Sequence, residues 1–137
     1  MGLVHAEITL RNAFDELNAR RGKIIDSEVR QMTLTAMVDT GAWTLVINEA
    51  VRQELGLEIV RSRRSEFADG EAQNYSVTEP VSIQWNNRDT ICQAVVLPNS
   101  SEVLLGAIPL EGMDLVVNPL KQELTGAHGD EALYSLK

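Results

Sequence analysis

The feature that most constrains this chain is an apolar strand pattern that ends on a carboxylate and turns on a glycine, in Ala36-Met37-Val38-Asp39-Thr40-Gly41-Ala42. Apolar residues alternate with other side chains from 31 to 38, which is the period-two pattern of a β-strand. Residues 44–47 form a second apolar segment typical of a strand. Because a carboxylate at the end of an apolar strand is costly to desolvate, we expect Asp39 to have a task or a partner.

The length and composition of the chain indicate one folded unit. The chain has 137 residues, 44% of them hydrophobic, so we predict a single domain over 1–137, with room for a loose tail over about 126–137. No apolar run approaches the length of a bilayer span, and charged residues interrupt the N-terminal segment before a signal-like core forms. We therefore expect a cytoplasmic protein with no membrane partner.

The charged and nucleophilic residues exclude several classes of function. A net charge of -8 argues against a nucleic-acid partner, because affinity for nucleic acids comes largely from neutralising phosphates. We interpret the local cluster of Arg61, Arg63 and Arg64 as a solvated strand end rather than a binding patch. The single Cys92 leaves too few thiols for a cysteine-based zinc site, and the two histidines are poorly placed for a catalytic pair. We expect no metal and no cofactor.

Alternating patterns predict strands along most of the chain. The predicted strands are 4–10, 23–29, 31–38, 44–47, 57–61, 73–77, 81–85, 89–97 and 114–117. Asn48 is a good N-cap and Gly56 a good terminator, which predicts the main helix between them. Shorter helical turns are predicted at 12–17 and from Pro109 onward. The dipeptide Asp69-Gly70 lies between extended segments and predicts a hairpin tip.

Three short motifs occur in a fixed order: Val38-Asp39-Thr40-Gly41-Ala42, then Ala68-Asp69-Gly70, then Val103-Leu104-Leu105-Gly106-Ala107. Together with the helix pattern after the first motif, they resemble the retropepsin-like aspartic proteases, most closely the small prokaryotic members. The resemblance covers most of the chain. It implies an all-β fold, namely a closed acid-protease barrel with one main α-helix and a short second helical turn.

The resemblance also implies a mechanism and a set of site residues. By this resemblance, the Asp39 side chains of two copies of the chain would meet on the axis of a homodimer. They would share one proton while they hydrolyse a peptide bond. A single carboxylate cannot act as both the base and the acid. The residues implied to support the active site are Thr40, Gly41, Leu104, Leu105 and Gly106. Those implied to contact substrate are Ala42, Trp43, Asp69 and Gly70, with Gly70 bending over the bound peptide.

The chain departs from the retroviral pattern at two positions. Retroviral members carry an acidic residue after Asp-Thr-Gly-Ala and an arginine after the apolar-apolar-Gly element, and the two pair. Here Trp43 and Ala107 occupy those places, so both partners are absent together and no charge is left unpaired. Trp43 is interpreted either as the wall of an apolar subsite or as a core or interface aromatic.

Three hypotheses for function remain open. The first is an aspartic endopeptidase that acts as a homodimer on peptide or protein substrates, with Asp39 as the catalytic residue. The second is a non-catalytic peptide-binding or assembly domain that keeps the fold and retains Asp39 as a buried hydrogen-bonding residue. The third places Asp39 in the turn of an unrelated β-barrel, because aspartate favours such turns.

Overall fold

The computed structural model describes residues 3–66, 70, 72–97, 102–118 and 120–134. Its strands are β1 (His5–Asn12), β2 (Gln31–Val38), β3 (Leu45–Ile47), β4 (Ile59–Glu66), β5 (Ala72–Trp85), β6 (Arg88–Val96), β7 (Leu104–Leu105), β8 (Leu115–Asn118) and β9 (Glu123–Gly126). Its α-helices are α1 (Ala13–Arg20), α2 (Glu49–Glu54) and α3 (Ala107–Gly112). Over the described ranges, no helix is both long enough and apolar enough to cross a membrane.

Six strands close into a β-barrel in the order β1, β2, β7, β3, β6 and β5, which pairs back to β1. Closure depends on β1, because its length lets it pair with β2 along almost all of its residues and with β5 at its C-terminal end. The strand β4 extends β5 outside the ring as one arm of a hairpin. The predicted all-β fold with a closed barrel is therefore confirmed.

The core of the barrel follows from the alternation of side chains along its strands. In β1, Ala6, Ile8 and Leu10 are buried, while the alternating residues His5 and Glu7 are exposed. The largest side chains that are almost completely buried are mainly aliphatic: Ile8, Leu10, Leu45, Ile47, Leu55, Leu57, Ile83, Leu105 and Met113. Burial of each such side chain contributes about 1.5 to 3 kcal/mol to the hydrophobic free energy of folding.

Two asparagines cap the first two helices. Asn48 Oδ1 accepts the Val51 backbone N–H at 2.9 Å, which starts α2 as predicted, and Gly56 follows the helix with a φ of +63°. Asn12 caps α1 in the same way and also donates its Nδ2 to the Leu55 carbonyl at 2.9 Å. This second bond joins the start of α1 to the end of α2. The short helical turn predicted at 12–17 is, in the structure, the longer helix α1.

The strand predicted over 23–29 is wrong. The segment instead contains a single turn of 3-10 helix at Asp26–Glu28. The Ile25 backbone N–H donates to the Glu28 side chain at 3.0 Å, and the Glu28 N–H donates to the Ile25 carbonyl at 2.9 Å. Such local bonds compete with a strand ladder, so the polar residues of this segment form a turn.

The two strands predicted at 73–77 and 81–85 are parts of one long strand, β5. Its pairing with β6 shifts register between Val77 and Pro80, where a proline cannot donate to the ladder. The buried Thr78 compensates, because its hydroxyl accepts the Ala94 backbone N–H at 3.2 Å. The strand therefore bends at this point without being interrupted.

A small second sheet of β8 and β9 precedes the segment predicted as a loose tail, about 126–137. Arg88, at the start of β6, is buried and donates to the carbonyls of Met113 at 3.0 Å and Asp114 at 2.6 Å. Its second Nη donates to the Gly129 carbonyl. These bonds bring the segment after β9 close to the turn that precedes β8.

Candidate active site

Asp39 is the first residue after β2, at the end where β2 and β7 run parallel to each other. In this pair Met37 lies opposite Leu104 and Val38 lies opposite Leu105. The Asp39 backbone N–H continues the ladder by donating to the Leu105 carbonyl at 3.0 Å. The parallel pairing therefore brings the Asp-Thr-Gly turn next to the apolar-apolar-Gly element, although the two are far apart in sequence.

The carboxylate of Asp39 organises its own turn. Its Oδ1 accepts the Gly41 backbone N–H at 2.9 Å, and its main-chain carbonyl accepts the Ala42 N–H at 3.1 Å. This is the hydrogen-bonding pattern for which aspartate is favoured in turns. The side chain is half-buried, and among the described residues no donor bonds to Oδ2. One carboxylate oxygen is thus held in place and the other is available for chemistry.

Gly106 lies where only a hydrogen atom fits. A Cβ at this position would come within 2.3 Å of the Thr44 carbonyl oxygen and 2.5 Å of the Ala42 carbonyl oxygen. Real Cβ atoms essentially never approach other atoms so closely. The absence of a side chain therefore lets the loop after Asp39 pack directly onto the end of β7.

The segments around Trp43 and Ala107, which lack the retroviral ion pair, are joined by main-chain hydrogen bonds. The Ala107 N–H donates to the Ala42 carbonyl at 2.8 Å, and the Ile108 N–H donates to the Trp43 carbonyl at 3.0 Å. These donors belong to the first turn of α3, whose N–H groups have no partner inside the helix. Backbone hydrogen bonds thus connect the two motifs where the retroviral pattern places a salt bridge.

Thr40 and Gly41 are exposed at the tip of the turn. Within the described part of one chain, the Thr40 hydroxyl has no hydrogen-bond partner. The role implied for Thr40 in supporting the active site therefore stays a prediction. A Cβ at Gly41 would lie 3.2 Å from Asp39 Oδ1, a tight contact that glycine avoids. Both residues therefore form an accessible surface beside the carboxylate.

Trp43 forms one wall of a groove of about 380 Å³ that is also lined by Arg61, Arg63, Tyr75 and Gln93. The indole is 45% exposed, which favours its interpretation as a surface aromatic over a core residue. Its ring centroid lies 6.5 Å from that of Tyr75, and the two planes are inclined by 54°. Sequence reasoning identified Trp43 but missed Tyr75 and the two arginines. The strand predicted over 57–61 is longer in the structure, where β4 extends to Glu66, and only this longer strand places Arg61 and Arg63 on one face.

The hairpin predicted around Asp69-Gly70 is formed by β4 and β5, which pair antiparallel up to Glu66 and Ala72. Gly70 is exposed and has a φ of +84°, a conformation that favours glycine. Asp69, the other predicted tip residue, lies outside the described residues. The contact of either residue with substrate stays a prediction.

Thr44 is a supporting residue that sequence reasoning missed. It is almost completely buried, and its hydroxyl donates to the Gln93 carbonyl at 2.8 Å. This bond holds the loop after Trp43 against β6, next to the start of β3. Cys92 lies beside it, and burial raises the pKa of the Cys92 thiol, which keeps it in its neutral form.

The comparisons with known proteins agree with this geometry. The model of the family described as "gag-polyprotein putative aspartyl protease" matches residues 25–111, which is more than half of the chain. The matched range includes Asp39, the β4–β5 hairpin and Gly106. No curated protein matches the chain.

Proposed function

Because this chain belongs to the gag-polyprotein aspartyl protease family, we propose that it is an aspartic endopeptidase whose catalytic dyad consists of Asp39 from two subunits of a homodimer. The observation that carries the proposal is the junction of β2 and β7. There a half-buried carboxylate has one oxygen held by its own turn and the other without a bonded donor among the described residues.

The proposed chemistry adds water across the peptide C–N bond. The ionised Asp39 takes a proton from water while the water oxygen bonds to the carbonyl carbon, and the neutral Asp39 gives its proton to the carbonyl oxygen. The C–N bond of the tetrahedral intermediate then breaks. The leaving nitrogen takes up the proton held by one Asp39, while a hydroxyl of the intermediate gives its proton to the other Asp39, which forms the carboxyl product and restores the dyad. Two like charges at contact distance cannot both remain ionised, which is why the dyad holds one proton.

The need for two copies follows from the sequence and the position of the turn. The chain contains one Asp-Thr-Gly, so one copy supplies only one of the two required carboxylates. Thr40 and Gly41 beside Asp39 are exposed, which leaves this end of the barrel open to approach by another subunit. In a twofold dimer, a residue near the axis meets its own copy. A twofold axis beside the turn would therefore bring the two carboxylates together.

The substrate would lie between this turn and the β4–β5 hairpin. The hairpin extends the sheet on β5, and Tyr75, midway along its paired segment, contacts Trp43 of the Asp39 loop. An extended peptide held there would be covered on one side by the hairpin, with Gly70 and Asp69 over it. Such a cover excludes water from the reacting bond.

Cleavage of a broad peptide library between pH 4 and 7 tests this proposal, with Asp39→Asn as the matched control. We expect wild type to cleave best on the acidic side of neutrality, because the dyad must keep its shared proton. Asp39→Asn keeps the size of the side chain and an acceptor for the Gly41 N–H but removes the ionisable group, so cleavage should be lost.

Two results would contradict the endopeptidase assignment. One is full cleavage by Asp39→Asn. The other is a wild-type protein that binds peptides tightly and cleaves none of them, which would favour a non-catalytic peptide-binding domain with the same fold.

A further inference from the structure

We propose that the groove lined by Trp43, Arg61, Arg63, Tyr75 and Gln93 is a substrate subsite that selects an acidic side chain a few residues from the bond to be cleaved. This inference rests on the proposed function and names the class of peptide that the site prefers. It also replaces the interpretation of the whole arginine cluster as a solvated strand end.

The two arginines lie on the face of the hairpin that forms the groove. Alternate residues of a strand point the same way, so Arg61 and Arg63 share one face of β4. Arg63 is paired with Tyr75 and Arg61 with Val77, and paired residues of antiparallel strands share a face. Val77 on this face is buried with 1% exposure, and Tyr75 on the same face lines the groove with the two arginines.

Arg64 lies on the other face of the same strand, because it is one residue away from Arg63. It does not line the groove. The three arginines that form one cluster in the sequence are therefore divided by the pleat of β4. Two of them face the groove and one faces away from it.

Among the described residues, no acidic side chain pairs with the guanidinium groups of Arg61 and Arg63. Both residues are exposed, and the ion pairs among the described residues involve Arg30, Arg52 and Arg88 instead. The chain as a whole is acidic, with a net charge of -8. A groove with two cations that have no described acidic partner therefore contrasts with the overall composition. A carboxylate is the peptide group that complements them, because guanidinium donors match its two oxygens.

The other walls of the groove suit the rest of such a side chain. Trp43 and Tyr75 present aromatic surface against which the methylene groups of a glutamate can pack. The groove volume of about 380 Å³ lies at the lower end of the range of ligand pockets, about 300 to 1,000 Å³. Trp43 belongs to the loop that follows Asp39, so an extended peptide at the carboxylate passes this groove within a few residues.

The first experiment measures binding without cleavage. Pairs of peptides that differ only by Glu or Gln at one position are titrated at pH 6 against the Asp39→Asn variant, by fluorescence anisotropy. We expect one position at which the Glu peptide binds about three- to tenfold more tightly than its Gln partner. No such position, or no binding of any Glu peptide, would overturn the inference.

Variants of the arginines then locate the selectivity. In the Asp39→Asn background, Arg61→Gln with Arg63→Gln should remove the preference for Glu, whereas Arg64→Gln is the matched control on the opposite face and should keep it. Arg61→Glu with Arg63→Glu should make a Lys peptide bind better than the Gln peptide. An equal loss of preference in the Arg64→Gln control would show a general charge effect and contradict a subsite.

Salt and pH give an independent check of the charge. The preference for Glu should weaken as the salt concentration rises, because partly exposed charges are screened. It should also disappear as the pH falls below about 4.3, where a free Glu side chain takes up its proton. A preference that persists through both changes would indicate selection by shape and would overturn the inference.

Cleavage of the same peptide pairs by wild type separates this inference from the proposed function. Cleavage of Glu and Gln peptides at equal kcat/KM would overturn the inference and leave the endopeptidase assignment intact. Charge-selective binding by the Asp39→Asn variant, with no cleavage by wild type, would overturn the endopeptidase assignment and leave the subsite intact.

Discussion

Asp39 has two separable roles in this structure, one in the turn and one in the proposed chemistry. Its Oδ1 accepts the Gly41 N–H at 2.9 Å, which stabilises the turn whether or not the group is ionised. In the proposed chemistry, its charge acts together with a second copy of the residue and a water molecule. Substitutions that remove one property and keep the other can therefore distinguish the two roles.

We expect Asp39→Asn to fold with nearly wild-type stability and Asp39→Ala to be less stable. Asparagine keeps an acceptor for the Gly41 N–H, whereas alanine removes this exposed hydrogen bond, at a cost of about 0.5 to 1.5 kcal/mol. Urea denaturation at fixed protein concentration measures both variants against wild type. If Asp39→Asn is destabilised as much as Asp39→Ala, the charge itself must stabilise the turn.

Gly106 should tolerate no side chain. In Gly106→Ala the new Cβ would lie within 2.3 Å of the Thr44 carbonyl oxygen, so the main chain of the Asp39 loop has to move. We expect a loss of about 1 to 3 kcal/mol in the free energy of unfolding, as for overpacked sites, together with loss of cleavage. Gly129→Ala is the control in open space, although its positive φ adds some local strain. Retained cleavage in Gly106→Ala would contradict the close packing.

At the scale of the secondary-structure elements, a charged group holds the turn before β8 in place. Asp114 has a φ of +54°, and its carboxylate accepts the Leu133 N–H at 3.0 Å while His128 Nδ1 lies 2.8 Å away. The Leu133 N–H, His128 and the guanidinium of Arg88 together hold the pKa of the Asp114 carboxyl below its ordinary value. The attachment of the C-terminal segment is therefore coupled to the ionisation of one group.

This coupling predicts how stability depends on pH. A lowered pKa in the folded state means that Asp114 stabilises the fold at pH values above its ordinary pKa, and that this stabilisation is lost as the pH falls through the folded-state pKa. The wild-type free energy of unfolding should therefore exceed that of Asp114→Asn at pH 7, and the difference should shrink below about pH 4. Asparagine tolerates the positive φ, so the comparison isolates the charge.

Denaturation curves of wild type and Asp114→Asn between pH 7 and pH 3 measure this difference. Asp130→Asn is the matched control in the same segment, where the backbone carbonyl of Asp130 rather than its side chain accepts a bond from Asn87. A constant difference between wild type and Asp114→Asn across this pH range would show that the Asp114 charge does not stabilise the segment.

At the level of the assembly, the proposed dimer places the exposed tip of the Asp39 turn at the twofold axis. A Thr40→Glu substitution would add two negative charges at that axis, next to the shared proton of the dyad. Like charges across an interface are strongly unfavourable, so we expect the dimer dissociation constant to rise by more than about tenfold and cleavage to fall with it. Sedimentation velocity at micromolar concentrations measures the association.

The control for this prediction is Ala50→Glu, which adds the same charge at an exposed position of α2, where an acidic residue near a helix N-terminus is well tolerated. It should leave the dimer unchanged. A wild-type protein that sediments only as a monomer at tens of micromolar, with Thr40→Glu indistinguishable from it, would contradict the dimer.

The sequence determined the features of this protein that depend on neighbouring residues. The alternation over 31–38 specified β2, Asn48 and Gly56 specified the ends of α2, and the order of the three motifs indicated the family. Such features are local because backbone geometry, helix capping and turn formation involve residues within a few positions of one another. Local competition between a turn and a strand also explains why residues 23–29 contain a 3-10 turn instead of the predicted strand.

The tertiary structure alone decided which distant segments meet. The closure of the barrel through β1 and β5, the continuity of β5 past Pro80 and the packing of Gly106 against the Asp39 loop all depend on register. The same is true of the groove, where the pleat of β4 separates Arg64 from its neighbours and brings Arg63 opposite Tyr75. A shift of one residue in strand pairing turns every side chain to the other face, and the local pattern of charged residues in β4 does not encode that choice.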